Sequence, residues 1–227
     1  MENNMTMAQH MPSTMPMMTR GHEKEKIKQM ISEVYERQKD GVEFHTSMVD
    51  LFAFLHLKGF QMWQEYRLKE ETEKLHEIQQ RFIKRHHGML GPHRVQQYSS
   101  IIPPQYYGHS AKDINKEDIM RETKRSLREY LNWEEQTLDF YKKKQRELVE
   151  IESYAEYIDL REMIEDVAAE IEFLETLMIE LESVNYDPSY IMKLQERFCV
   201  EFDTDKHHKR KDYESMRRNK TKKGYDY

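Results

Sequence analysis

Residues 59–89, "GFQMWQEYRLKEETEKLHEIQQRFIKRHHGM", decide how this chain is read. Neither Gly nor Pro interrupts the run from Phe60 to His87, so the stretch predicts one long helix. Within it Glu73 and His76 stand three residues apart and project from one helix face. They are either half of a metal site or two polar residues on a wet surface.

The composition sets the frame. The chain has 227 residues, enough for one domain and tails, with 34% charged and 37% hydrophobic residues and only seven Gly and six Pro. Such a balance favours long amphipathic helices over sheet, so the fold class is all-α. A net charge of -6 argues against generic binding of polyanions. Cys199 is the single cysteine, which excludes an intramolecular disulfide and suits a reducing compartment. No apolar run reaches the length of a membrane span, and the first residues lack a signal-peptide core. A cytoplasmic protein is expected.

Outward from the opening stretch, residues 23–57 carry apolar side chains at three- and four-residue steps and predict a first helix, with Gly41 as the place for a kink. "LKGF" at 57–60 is the expected turn into the second helix, which runs to about His87. Residues 88–115 contain "IIPPQYYG" and cannot continue as helix, so they form a long connection. Asn115 is the expected N-cap of a third helix reaching about Ile151, with Glu117 and Asp118 in its first turn. A break within 152–159 leads to a fourth helix over roughly Leu160–Ser183, and 189–200 form a short fifth. Short, long and short connections describe a four-helix bundle with one long crossover. The expected organisation is a flexible Met-rich arm (1–22), the bundle (23–200) and a flexible basic tail (201–227), with the second and third helices as neighbours.

Levels within the two hairpins test the Glu-x-x-His pair. About a turn at Gly59, Glu73 and His76 lie 14 and 17 residues after it and Glu43 lies 16 before it. About a turn near residue 152, Glu134 or Glu135 is level with Glu170. Each helix would bring a carboxylate to one height, and the second adds an imidazole. Two divalent ions held close together need several carboxylates to neutralise and bridge them, and imidazole supplies a neutral, directional ligand.

At these residues a resemblance appears. "LKGFQMWQEYRLKEETEKLHEIQQRFIKRHHG" resembles the second helix of ferritin-like proteins, and "WEEQTLDFYKKKQREL" with "MIEDVAAEIEFLETL" resembles their third and fourth. The similarity spans about residues 28–88 and 116–182. It implies a homo-oligomer with a di-iron or manganese centre, used in iron oxidation, storage or peroxide scavenging. By position the ligands would be Glu43, Glu73, His76 and Glu135, with Glu134 as the substitute for Glu135. The fourth helix departs from the pattern. Val167 and Glu170 stand where a second Glu-x-x-His is expected, and no His occurs between His109 and His207. Glu170 is then an oxygen ligand at a weakened second position.

Other features have two readings each. His45 and His56 share a helix face and suit either an intersubunit iron site or a plain interface. The arm holds seven of the sixteen Met and is either a disordered tail or a soft-metal ligand. Residues 206–227, with nine Lys or Arg against three acids, are either a solvated extension or a contact for nucleic acid or an acidic protein. Trp63, Trp133, Tyr130, Phe140 and Tyr141 are expected in the core. The rival to the metal centre is a metal-free bundle, a scaffold or coat component acting through protein contacts.

Overall fold

The computed structural model describes residues 20–91 and 101–203. The expected arm and basic tail fall almost wholly outside these residues. Helices α1 (Arg20–Phe54), α2 (Lys58–His86), α3 (Lys116–Glu150), α4 (Tyr154–Ser183) and α5 (Pro188–Glu201) follow one another along the chain, with no strand among the described residues. No helix among them is long and apolar enough to cross a membrane.

Three details of the hairpins differ from expectation and matter for the site. The α1–α2 turn lies at 55–57, where His56 takes φ 58° and Leu57 N–H donates to Phe52 O at 2.9 Å. Gly59 is therefore inside α2. A Cβ there would fall 1.9 Å from Gln195 O, so this glycine admits the backbone of α5 against α2. Gly41 does not interrupt α1. Its missing side chain leaves room for Glu71, whose Oε2 would lie 3.3 Å from a Cβ at 41. The α3–α4 break is only Ile151–Ser153, with Glu152 at φ 55°, so α4 starts six residues earlier than Leu160.

The Asn115 cap is as the sequence predicts. Asp118 N–H donates to Asn115 Oδ1 at 2.9 Å and Asn115 N–H donates to Asp118 Oδ2 at 3.2 Å, closing a capping box. The end of the crossover is tied down nearby. Arg125 donates to Ile101 O at 2.7 Å, and His56 Nε2 lies 3.2 Å from Ala111 O. The crossover thus returns the chain to the α1–α2 turn, and α2 and α3 run parallel. The two pack through side chains across the core, as in Trp63 on Tyr130, rather than as adjacent helices; α1 pairs with α2, and α3 with α4. Along the α2–α4 side Arg81 and Arg85 reach Asp159 and Glu162.

The apolar core is in two parts. One gathers Phe52, Phe60, Trp63, Leu174, Leu181 and Phe198 around the α1–α2 turn and α5. The other gathers Met30, Val34, Tyr141, Leu148, Leu160 and Val167 toward the opposite end. Burial of such side chains is what holds long, strongly charged helices together. Between the two parts the interior turns polar.

Candidate functional site

The polar layer is built from the stripes that carry the apolar core. On α2 the inward stripe passes from Phe60 and Trp63 through Arg67, Glu71 and Lys74 to Ile78 and Phe82. On α3 it passes from Leu127 and Tyr130 through Glu134 to Thr137 and Tyr141. On α1 it includes Val34, Gln38, Gly41, His45 and Met48. Each is a three- or four-residue step, so these polar side chains point inward for the same geometric reason as their apolar neighbours.

Arg67 is the centre of the layer, with 7% of its surface exposed. Its Nη1 donates to Glu70 Oε2 at 2.8 Å and its Nε to the Tyr130 hydroxyl at 3.2 Å. Glu71 Oε1 and Glu170 Oε2 stand 3.6 and 3.5 Å from the guanidinium. Tyr130 in turn donates to Glu170 Oε1 at 2.8 Å. Burial works against the charge on Arg67, but Tyr130, Glu170, Glu71 and Glu134 outweigh it and hold its pKa well above the ordinary value. Lys74 adds a second cation, 3.6 Å from Glu71 Oε1 and 3.0 Å from Asp166 Oδ2. Gln38 donates to Glu71 O at 3.1 Å and to Glu71 Oε2, and accepts from the Tyr141 hydroxyl at 3.0 Å.

His45 and Glu134 complete the layer. Gln64 Oε1 can only accept, so His45 Nδ1 donates to it across 2.9 Å and Nε2 carries the lone pair. That Nε2 has no hydrogen-bond partner and lies 4.0 Å from Glu134 Oε1. Burial pushes the His45 pKa down to about 4, against the pull of Glu71. Burial pushes Glu134 up to about 8 although Arg67 opposes it. At neutral pH the two are an imidazole facing a carboxylic acid, not an ion pair. Two cations, Arg67 and Lys74, then face two core carboxylates, Glu71 and Glu170.

The expected ligands are placed differently. Glu43, Glu73, His76 and Glu135 are exposed; Glu170 alone reaches the layer, where Arg67 and Tyr130 hold it. Glu73 faces outward beside Lys69. Glu134, the substitute for Glu135, is the buried one of that pair. Glu73 and His76 lie off the inward stripe of α2, and the level differs as well. Gln38 meets Glu71 and His45 meets Gln64, so the first hairpin is centred between Phe54 and His56 rather than at Gly59. In the second hairpin Glu170 meets Tyr130 rather than Glu134 or Glu135, which centres that hairpin near residue 150. His45 and His56 also part company: His45 is buried in the polar layer and His56 is exposed at the turn. Gln38, His45, Gln64, Arg67, Glu71 and Lys74 carry the layer unanticipated as a set.

Iron or manganese would need several anionic or imidazole ligands and no fixed cation among them. The side chains present do not meet that need. The inward pair of α2 at i and i+3 is Glu71–Lys74, and an ammonium group donates hydrogen bonds and cannot ligate. The Arg67 guanidinium occupies the space between the carboxylates of α2 and α4. No group of three or more His, Cys, Asp or Glu among the described residues is arranged to hold a metal ion.

No protein-family model matches the sequence, and no curated protein is similar to it. Solved structures are similar in fold. The open-pore ferritin of the hyperthermophilic archaeon Archaeoglobus fulgidus superposes with a TM-score of 0.62 at 14% identity, over 77% of this chain and 96% of the ferritin. An engineered closed form of the same ferritin gives the same score and identity over 94% of its length. With its helix order, long crossover and polar interior, this chain has a ferritin-like fold.

Proposed function

We propose that this protein is a metal-free ferritin-like bundle that serves as a scaffold or assembly component through protein–protein contacts. One observation carries the reading: the carboxylates that converge in the bundle already have their counter-ions in Arg67 and Lys74. Clustered buried carboxylates require a cation or shared protons. Here two side-chain cations and the proton on Glu134 meet that requirement. Apolar side chains exposed around the α3–α4 turn, Val149, Tyr154 and Ile158, offer contact surface for a second copy or another protein. A homo-oligomer in the cytoplasm, with the basic tail reaching an acidic protein or nucleic acid, belongs to the same proposal.

The competing reading is a di-iron or manganese centre at Glu43, Glu73, His76, Glu135 and Glu170, acting in iron oxidation, storage or peroxide removal. Loading the purified protein anaerobically with ferrous iron or manganese, desalting it and measuring metal by elemental analysis separates the two. The scaffold reading expects far less than one metal per chain and no stimulated consumption of oxygen. Retention of about two metals per chain, as a paired site would give, overturns it.

A further inference from the structure

We infer that Arg67 and Lys74 stand in the place of a metal, so that the charge a divalent ion would supply in this core is carried by the chain's own side chains and an ion is admitted only when they are replaced. The inference rests on the metal-free reading and adds what keeps the metal out.

Three observations support it. The first is the α2 pair. Carboxylate bundles of this class take Glu-x-x-His from a helix, both side chains pointing inward. This chain has Glu71-x-x-Lys74 on the inward stripe, with Lys74 Nζ 3.6 Å from Glu71 Oε1. Only the second residue of the pair departs, and it departs from a ligand to a cation. The second is the donor set left around it. Glu71, Glu134 and Glu170 come from three helices and α1 contributes the buried His45, although no three of these are arranged to hold an ion while Lys74 is in place. His45 Nε2 has no hydrogen-bond partner and lies 4.0 Å from Glu134 Oε1. A neutral imidazole with its lone pair toward a carboxyl group is the protonation state a divalent ion takes. The third is space. A void of about 10 Å³ is bordered by Gln38, Glu71, Lys74 and Glu134, though not by His45 or Glu170, and Gly41 keeps it clear of a Cβ. That is about the room of one water molecule, and of an ion of similar size. Histidine is shorter than lysine, so Lys74→His adds both a ligand and volume.

The ligand class follows from the donors. Carboxylates with imidazole suit a first-row divalent cation, not a thiolate-seeking one. Arg67 is the remaining obstacle, because its charge lies among the same carboxylates and repels a divalent ion.

Cobalt(II) is the probe, since its visible absorption reports ligation. The full-length chain, the Lys74→His single variant and the Arg67→Gln/Lys74→His double variant are each titrated with cobalt chloride. The expected result is no new absorption in the natural sequence and about one cobalt per chain in the double variant. Adding Glu71→Gln to the double variant should abolish the signal and place the ion in the core. Circular dichroism checks the fold of each protein. If the double variant does not fold, the single variant carries the test, because Lys74 is only partly buried. A folded variant that gains no cobalt, or that keeps it after Glu71→Gln, overturns the inference and leaves the scaffold reading standing. Stoichiometric cobalt in the natural sequence overturns both.

Discussion

Two pairs of side chains with the same spacing lie on opposite faces of α2. Glu71 and Lys74 point into the bundle; Glu73 and His76 point to solvent. The pairs differ by two residues, about 200° around the helix. Spacing of i and i+3 puts two side chains on one face, but it does not say which face. That is decided by the apolar stripe on either side, which here runs from Trp63 to Ile78 through Arg67 and Lys74. The inner pair is locked into a network of three helices, and the outer pair has only Lys69 near Glu73.

The inner face should respond most to substitution. Arg67→Ala leaves Glu70, Glu71 and Glu170 without their guanidinium, and loss of one partner of a buried ion pair costs about 3–5 kcal/mol. Urea denaturation at pH 7 measures this. A loss near that of an exposed ion pair would show that Arg67 is not the core counter-charge.

The next effect is a pH dependence. Glu134 has its pKa raised to about 8, so its contribution is full below the unfolded carboxyl value of 4.5 and is lost as pH rises through 8. His45 has its pKa lowered to about 4, so its contribution is full above 6.5 and is lost as pH falls through 4. Between 4.5 and 6.5 the two slopes oppose each other. Between 6.5 and 8 only that of Glu134 remains, and stability should fall by about 2 kcal/mol. Thermal melts across that window check the slope, and Glu134→Gln should flatten it. An unchanged slope in that variant would place the titration elsewhere.

The outer face should respond least. Glu73→Ala and His76→Ala should each change stability by no more than about 0.5 kcal/mol, as for surface positions outside any network. The same urea curves measure it, and a loss of about 2 kcal/mol or more from either would mean that the outer pair is covered, for example by another copy of the chain.

Much of the architecture was legible because it depends on periodicity and breakers. The proline-rich crossover, the Asn115 cap and the lengths of α3 and α5 follow from local residues. Levelling does not locate the centre of the polar layer, because Gly59 in "LKGF" has the character of a turn residue. Its glycine serves a close helix approach instead, and moving the hairpin centre by a few residues re-pairs every position on α1 and α2. The stripes themselves held the missing signal. Continuing Leu127–Tyr130 by helical steps reaches Glu134 and not Glu135, and continuing Phe60–Trp63 reaches Arg67 and not Glu73. Charge hides this signal, since a helix with arginine and lysine on its buried stripe reads as hydrophilic all round.

Thermal unfolding with and without manganese tests the central claim, that side-chain cations have replaced metal in this core, most directly. An ion that binds only the folded state raises stability by about 2.7 kcal/mol at one hundred times its dissociation constant. The account predicts that millimolar manganese(II) leaves the midpoint of the natural protein unchanged at pH 7, while Arg67→Gln/Lys74→His shifts upward. A clear upward shift in the natural protein, lost in the His76→Ala variant, would contradict it and return the site to the outer face of α2.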